Sequence, residues 1–185
     1  MKSFPQRHLG LTFRSRTEAR WAECFWLADV LYEYEPEGFQ LEGGDAYLPD
    51  FWLVAGRLFF EVKPYRSNDR EDRVAMKLAI TSGCPVVVGW GGPSKLTALV
   101  MTKPSDGLQR PVRLMSDDSG RGAWIVGDGV AIPLTAGATR PTNSLHPALE
   151  KAAALQFNHR PVSTRPMASE ALRNSKLVKD WKGPF

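Results

Sequence analysis

Cysteine is scarce in this chain: 185 residues contain two, Cys24 and Cys84, with no CxxC pair and no disulfide framework. Such usage suits a reducing cytoplasm, and both read as small buried apolar residues. No run of about 18 apolar residues occurs, which excludes a membrane-spanning helix. The opening MKSFPQRHLG has no apolar h-region, so no secretory leader is expected. Histidine is also sparse. His8, His146 and His159 fall in terminal or loop-like segments and supply no nucleophile–base triad. Internal repeats and low-complexity tracts are absent. What is present is a soluble globular composition, 43% apolar and 24% charged, at the size of about one domain.

The net charge of +4 hides an uneven distribution. Residues 1–20 hold five Lys/Arg against Glu18, residues 21–50 hold eight Asp/Glu and no basic residue, and residues 51–100 hold seven Lys/Arg against four acids. Residues 146–185 are again basic, seven against three. An acidic middle between basic flanks suits a site that gathers carboxylates inside surroundings that attract an anion, of which nucleic acid is the commonest large one.

Residues 15–31 read as an amphipathic helix with Trp21, Ala22, Phe25, Trp26 and Ala28 inward, opened by an S-x-x-E capping box of Ser15 and Glu18. Strands are expected at 32–41, with a Pro-containing irregularity, and at 47–54 and 57–63, the first two separated by a turn at 42–46. A second helix is expected at 69–82 with Val74, Ala75, Leu78 and Ala79 on its buried side, and a strand buried on both faces at 85–90. The order α-β-β-β-α-β specifies a mixed α/β sandwich. Short strands near 96–101, 111–115, 123–126 and 130–134 suggest an accessory meander, followed by a helix at 146–157 and a basic tail. The chain thus divides into a core at 1–92, accessory strands of the same domain at 93–145, and a C-terminal helix and tail at 146–185. Gly89-Trp90-Gly91-Gly92-Pro93 lacks Walker spacing and reads as a strand-ending turn.

The chemistry concentrates in the hairpin 47–63. A two- or four-residue connection makes paired positions sum to 111, so Asp50 stands opposite Glu61. Opposed residues have Cβ atoms about 5 Å apart, where two carboxylates repel by roughly 3 kcal/mol at an effective dielectric of about 20. Both acids lie in apolar runs, so a divalent cation between them is the natural relief, and hard oxygen ligands favour Mg²⁺ or Mn²⁺. Lys63 shares a strand face with Glu61 and is placed to orient a water or neutralise charge on a phosphate. Glu18 on the first helix is a further candidate ligand of the same metal. Set against this is a plain structural reading, a buried ion-pair group, although such groups seldom stabilise a fold on balance.

Pro49-Asp50, ten residues, then Glu61-Val62-Lys63, behind a helix carrying Glu18, resembles the PD-(D/E)XK nuclease superfamily. The pattern YEYEPEGFQL…YLPDFWL…FFEVKP is similar to its short phage-encoded, resolvase-like members, over about residues 13–92. The resemblance implies a restriction-endonuclease-like core with a mixed central sheet and metal binding by Asp50, Glu61 and the Val62 carbonyl. It also implies water positioning by Lys63, a supporting acid at Glu18, and phosphodiester hydrolysis with Mg²⁺. Pro64 departs from the small residue often found after the lysine. In the same resemblance a Lys or Gln of the second helix often lies near the site, which makes Lys77 a secondary catalytic candidate.

Arg66, Arg70, Arg73 and Lys77 are spaced to line one side of that helix as a phosphate grip. The expectation is a cytoplasmic, metal-dependent deoxyribonuclease in phage recombination, repair or DNA processing. Its cutting is structure-directed because no separate sequence-reading domain is present, and dimerisation is natural if two strands are cut. The alternative is a non-catalytic nucleic-acid-binding or protein-interaction module that retains the fold.

Overall fold

A computed structural model describes residues 5–93, 97–101, 110–127 and 129–157. The expected basic tail, with His159 and Trp181, lies outside the described residues. The chain opens with a hairpin, β1 (Gln6–His8) and β2 (Leu11–Phe13), that the sequence pattern does not announce. Helix α1 (Arg16–Leu27) follows, and then β3 (Tyr32–Tyr34), β6 (Phe51–Leu53) and β7 (Leu58–Lys63) form an antiparallel ribbon. Between β3 and β6 a separate two-stranded ribbon, β4 (Phe39–Gln40) with β5 (Ala46–Tyr47), stands off the main sheet. Helix α2 (Asp69–Ser82) crosses from β7 to β8 (Val86–Trp90), which pairs with β7 in parallel. A parallel pair needs such a crossover, which places the helix on the sheet face.

The meander continues this sheet instead of forming a second one. Strands β9 (Thr97–Met101), β10 (Arg110–Asp117), β11 (Ala123–Gly127) and β12 (Val130–Pro133) extend it antiparallel beyond β8. A further strand, β13 (Pro141–Leu145), not expected from the sequence, pairs with β10. The sheet order is therefore β12-β11-β10-β9-β8-β7-β6-β3. The last helix, α3 (Ala148–Ala153), is shorter than the 146–157 expected.

Strand alternation assigns the two faces. Phe51, Leu53, Leu58, Phe60, Val62 and Val87 pack under Trp21, Ala22 and Phe25 of α1, and the same cluster runs on to Leu114, Ile125, Leu134 and Leu149. On the other face Trp52, Phe59, Val86 and Val88 pack against Ala75, Leu78 and Ala79 of α2. Gly89 is required here: a Cβ would lie 2.7 Å from Cζ of Phe60 and 3.6 Å from Trp21. The Trp21 indole N–H donates to the Gly91 carbonyl at 3.1 Å, which ties α1 to the end of β8. At the tip of the β6–β7 hairpin, a Cβ on Gly56 would meet Leu134 at 2.8 Å.

The irregularity expected within 32–41 is a full break: Glu35 adopts φ +48° just before Pro36, and β3 ends at Tyr34. Likewise β6 starts at Phe51 instead of residue 47, since Pro49 has no N–H for the ladder.

Candidate metal and phosphate site

The β6–β7 register pairs Phe51 with Phe60, Trp52 with Phe59 and Leu53 with Leu58, joined by a four-residue connection at 54–57. Continuing it puts Asp50 opposite Glu61 and Pro49 opposite Val62. The ladder has stopped at Phe51, and side chains take over from the backbone. The Val62 N–H donates to Asp50 Oδ2 at 2.7 Å, and the Asp50 N–H donates to Glu61 Oε1 at 3.3 Å. Each acid is thus fixed by the other's strand. In an extended strand the N–H and C=O of one residue point to the same edge, so the Val62 carbonyl is directed to the β6 edge, opposite Pro49. Pro49 has no amide to offer it.

Glu61 is 1% exposed and Asp50 6%. Burial first, then the charge of Glu61, pushes Asp50 up to about 7, against the pull of the Val62 amide and Lys63. The Glu61 Oε2 accepts from the Tyr47 hydroxyl and, at 3.4 Å, from Lys63 Nζ. Burial and the Glu61 charge raise the Tyr47 phenol far above its ordinary range, so it stays protonated and donates.

Asp50 has a partner that the sequence did not suggest. Arg14 Nη2 lies 2.5 Å from Asp50 Oδ1, while Arg14 Nε lies 2.7 Å from Glu35 Oε1. Arg14 immediately precedes the α1 N-cap, Ser15, whose Oγ accepts the Glu18 N–H at 3.1 Å. Glu18 turns back to this cap: its Oε1 accepts from Ser15 Oγ at 2.7 Å, and its Oε2 from the Arg14 N–H at 3.1 Å and the Tyr34 hydroxyl at 2.6 Å. The return bond of the expected capping box therefore lands one residue early, on the Arg14 amide.

Lys77 turns aside as well. Its Nζ donates to the Glu42 carbonyl at 2.7 Å and lies 3.9 Å from Asp45, which fastens the 41–45 turn to α2. Arg66 lies ahead of α2, whose N-cap Asn68 forms a full capping box with Glu71. Arg66, Arg70 and Arg73 are exposed. A cleft of about 280 Å³ lies between Tyr47, Lys63, Asn68, Arg70, Glu71 and Val74. It joins the hairpin to the first turn of α2, and two of its lining residues, Tyr47 and Lys63, both reach Glu61 Oε2.

Among the described residues no three His, Cys, Asp or Glu side chains converge so as to hold a metal ion. The oxygens that could hold a cation are those of Asp50, Glu61 and the Val62 carbonyl, hard donors of the kind that suit Mg²⁺ or Mn²⁺ and not a soft metal. A carboxylate offers about four lone-pair sites, so Asp50 and Glu61 retain capacity beyond their present partners. Of the residues gathered here, Arg14 carries no motif signal, and Tyr34, Glu35 and Tyr47 fall inside the YEYEPEGFQL and YLPDFWL runs without being singled out as site residues. Only the basic character of residues 1–20 and the two tyrosines near the acids hinted at them. No protein-family model matches the sequence, and comparison with curated proteins returns no match.

Proposed function

We propose that the protein is a metal-dependent nuclease that hydrolyses phosphodiester bonds, with Asp50, Glu61 and the Val62 carbonyl holding Mg²⁺ or Mn²⁺. The observation that carries this is the interlocked pair: two nearly inaccessible carboxylates, each bonded to the other's strand, beside a lysine that lines a cleft together with Arg70. The element order α1, β3, β6, β7, α2, β8, with β7 and β8 parallel, supports a restriction-endonuclease-like core.

Charge supports the same reading. Asp50, Glu61, Glu18 and Glu35 gather four carboxylates around Arg14 and Lys63, an acidic surplus that suits a divalent cation. Such a cation, when bound, polarises the scissile phosphate and lowers the pKa of water. Lys63 steadies the attacking water or the developing phosphate charge from the cleft side. Arg70 lines that cleft and Arg66 and Arg73 are exposed on the same part of the chain, which suits backbone contacts to DNA without sequence readout.

The test is a cleavage panel over single strands, duplex, flaps and four-way junctions, with Mg²⁺, Mn²⁺ or EDTA. Cleavage is expected to need the metal and to fall about 100-fold or more in Asp50→Asn and Glu61→Gln, because the cation supplies several kcal/mol of charge stabilisation. Cleavage in either variant close to the wild-type rate, or undiminished in EDTA, sinks the proposal.

A second reading has its own observation: Asp50 is already paired with Arg14, and Glu61 with Tyr47 and Lys63. A nucleic-acid-binding or protein-interaction module with a purely structural ion network fits that. It expects DNA binding, where present, to be metal-independent and unchanged by Lys63→Ala.

A further inference from the structure

We infer that Arg14 is the resident counter-cation of the acidic pair, and that a divalent cation must displace its guanidinium from Asp50 in order to bind. The inference rests on the two-carboxylate metal reading above. Asp50 Oδ1 is the oxygen not taken by the Val62 amide, and Arg14 Nη2 occupies it at 2.5 Å. The same planar fork reaches Glu35 through Nε at 2.7 Å, so one guanidinium bridges two carboxylates.

The backbone of Arg14 is held just as firmly. Its N–H is shared between Glu18 Oε2 at 3.1 Å and the Tyr34 hydroxyl at 3.0 Å, and those two groups are bonded to each other. Glu18 therefore acts through Arg14, as a positioning residue at the start of α1. The Arg14 side chain is 53% exposed while that of Asp50 is 8% exposed, so the group covering the acid is open to water. An uncompensated buried carboxylate is costly, which gives the metal-free fold a reason to keep a cation there. A second cation at the same oxygen is repelled by the first until Arg14 moves away.

The experiment is calorimetric titration of EDTA-stripped protein with Mn²⁺ at pH 8, for wild type, Arg14→Gln, Arg14→Lys and Arg16→Gln. Arg16 is exposed on α1 and supplies the control for loss of one nearby positive charge. Arg14→Gln is expected to bind Mn²⁺ about tenfold more tightly, the equivalent of one charge-assisted hydrogen bond no longer broken. Arg14→Lys, which keeps the charge but cannot bridge two carboxylates, is expected to fall between. Arg16→Gln is expected to stay within about twofold of wild type, as for an exposed charge at a distance. Without metal, Arg14→Gln should melt below wild type, and Mn²⁺ should close the gap. Should Arg14→Gln fail to fold, the gain in Arg14→Lys decides. Wild type that binds Mn²⁺ with no gain in either Arg14 variant, or an equal gain in Arg16→Gln, overturns the inference and leaves the metal reading standing. No Mn²⁺ binding by any of the four proteins overturns the metal reading itself, and the inference falls with it.

Discussion

Tyr47, at the end of β5, donates its hydroxyl to the Oε2 of Glu61, the same oxygen that Lys63 approaches at 3.4 Å. The ribbon that stands off the main sheet thus delivers one donor onto the innermost carboxylate. Tyr47→Phe removes that donor and leaves an acid that is 1% exposed with one partner fewer. In EDTA, urea unfolding should show a loss of about 1–3 kcal/mol, the usual cost of a buried group deprived of its bond. Saturating Mg²⁺ should shrink the loss, because the proposed cation takes over the compensation. A variant as stable as wild type in EDTA shows that the bond contributes nothing.

Asp50 sets a dependence on pH. Its carboxyl is raised to about 7 by burial and by Glu61, so the folded protein holds this proton more tightly than the unfolded chain does. The contribution to stability is complete below the unfolded carboxylate range near pH 4 and is lost as pH rises through about 7. Metal-free protein should therefore show a lower urea midpoint at pH 8 than at pH 5, and Asp50→Asn should flatten that difference. Midpoints that rise with pH by the same amount in both proteins dispose of the assignment.

Gly89→Ala tests the α1 face alone. The added Cβ meets the Phe60 ring 2.7 Å away, with Trp21 close behind. Overpacking of this kind typically costs about 1–3 kcal/mol. The urea midpoint should fall with the slope unchanged, while metal affinity survives because Glu61 and Lys63 lie on the opposite face. An unchanged midpoint shows that the ring can yield.

DNA binding should weaken with salt according to how many basic side chains reach phosphate. With Lys77 committed to Glu42 and Asp45, three exposed arginines remain of the expected four, which gives a log–log slope of roughly −3. Replacing Arg70 and Arg73 together by Gln should flatten the slope by about 2. A slope that does not move removes them from the footprint.

The hairpin was legible in the sequence because two rules fix it. Side chains alternate along a strand, and an even connection conserves the sum of paired positions, so Asp50 and Glu61 had to meet wherever the turn began. The α2 boundaries 69–82 follow from the apolar spacing of Val74, Ala75, Leu78 and Ala79, and the structure adds the Asn68 cap that starts the helix there. Arg14 was invisible for the opposite reason. It lies 36 positions from Asp50 and reaches it only because α1 docks with its first turn over the hairpin. Such a contact is decided by tertiary packing, which leaves no periodic trace. Lys77 shows the converse: the turn at 42–46 is legible in the sequence, but nothing in its pattern tells that the Glu42 carbonyl takes the Lys77 ammonium. The irregularity expected at the proline of YEYEPEGFQL is real but larger than the pattern suggests: the backbone reversal at Glu35 ends β3 instead of merely bending it.

The contact of Gly56 with Leu134 makes the hairpin answerable to a distant part of the chain. The turn that joins β6 to β7 abuts the residue just after β12, and the apolar cluster under α1 is completed by side chains beyond position 110. A truncation after residue 92 would strip the cover from that turn and open the cluster on one flank. The acid-bearing segment is therefore no portable cassette: its loss of autonomy means that insertions or shortenings in the meander would be felt at Asp50 and Glu61 as a change in how firmly they are held.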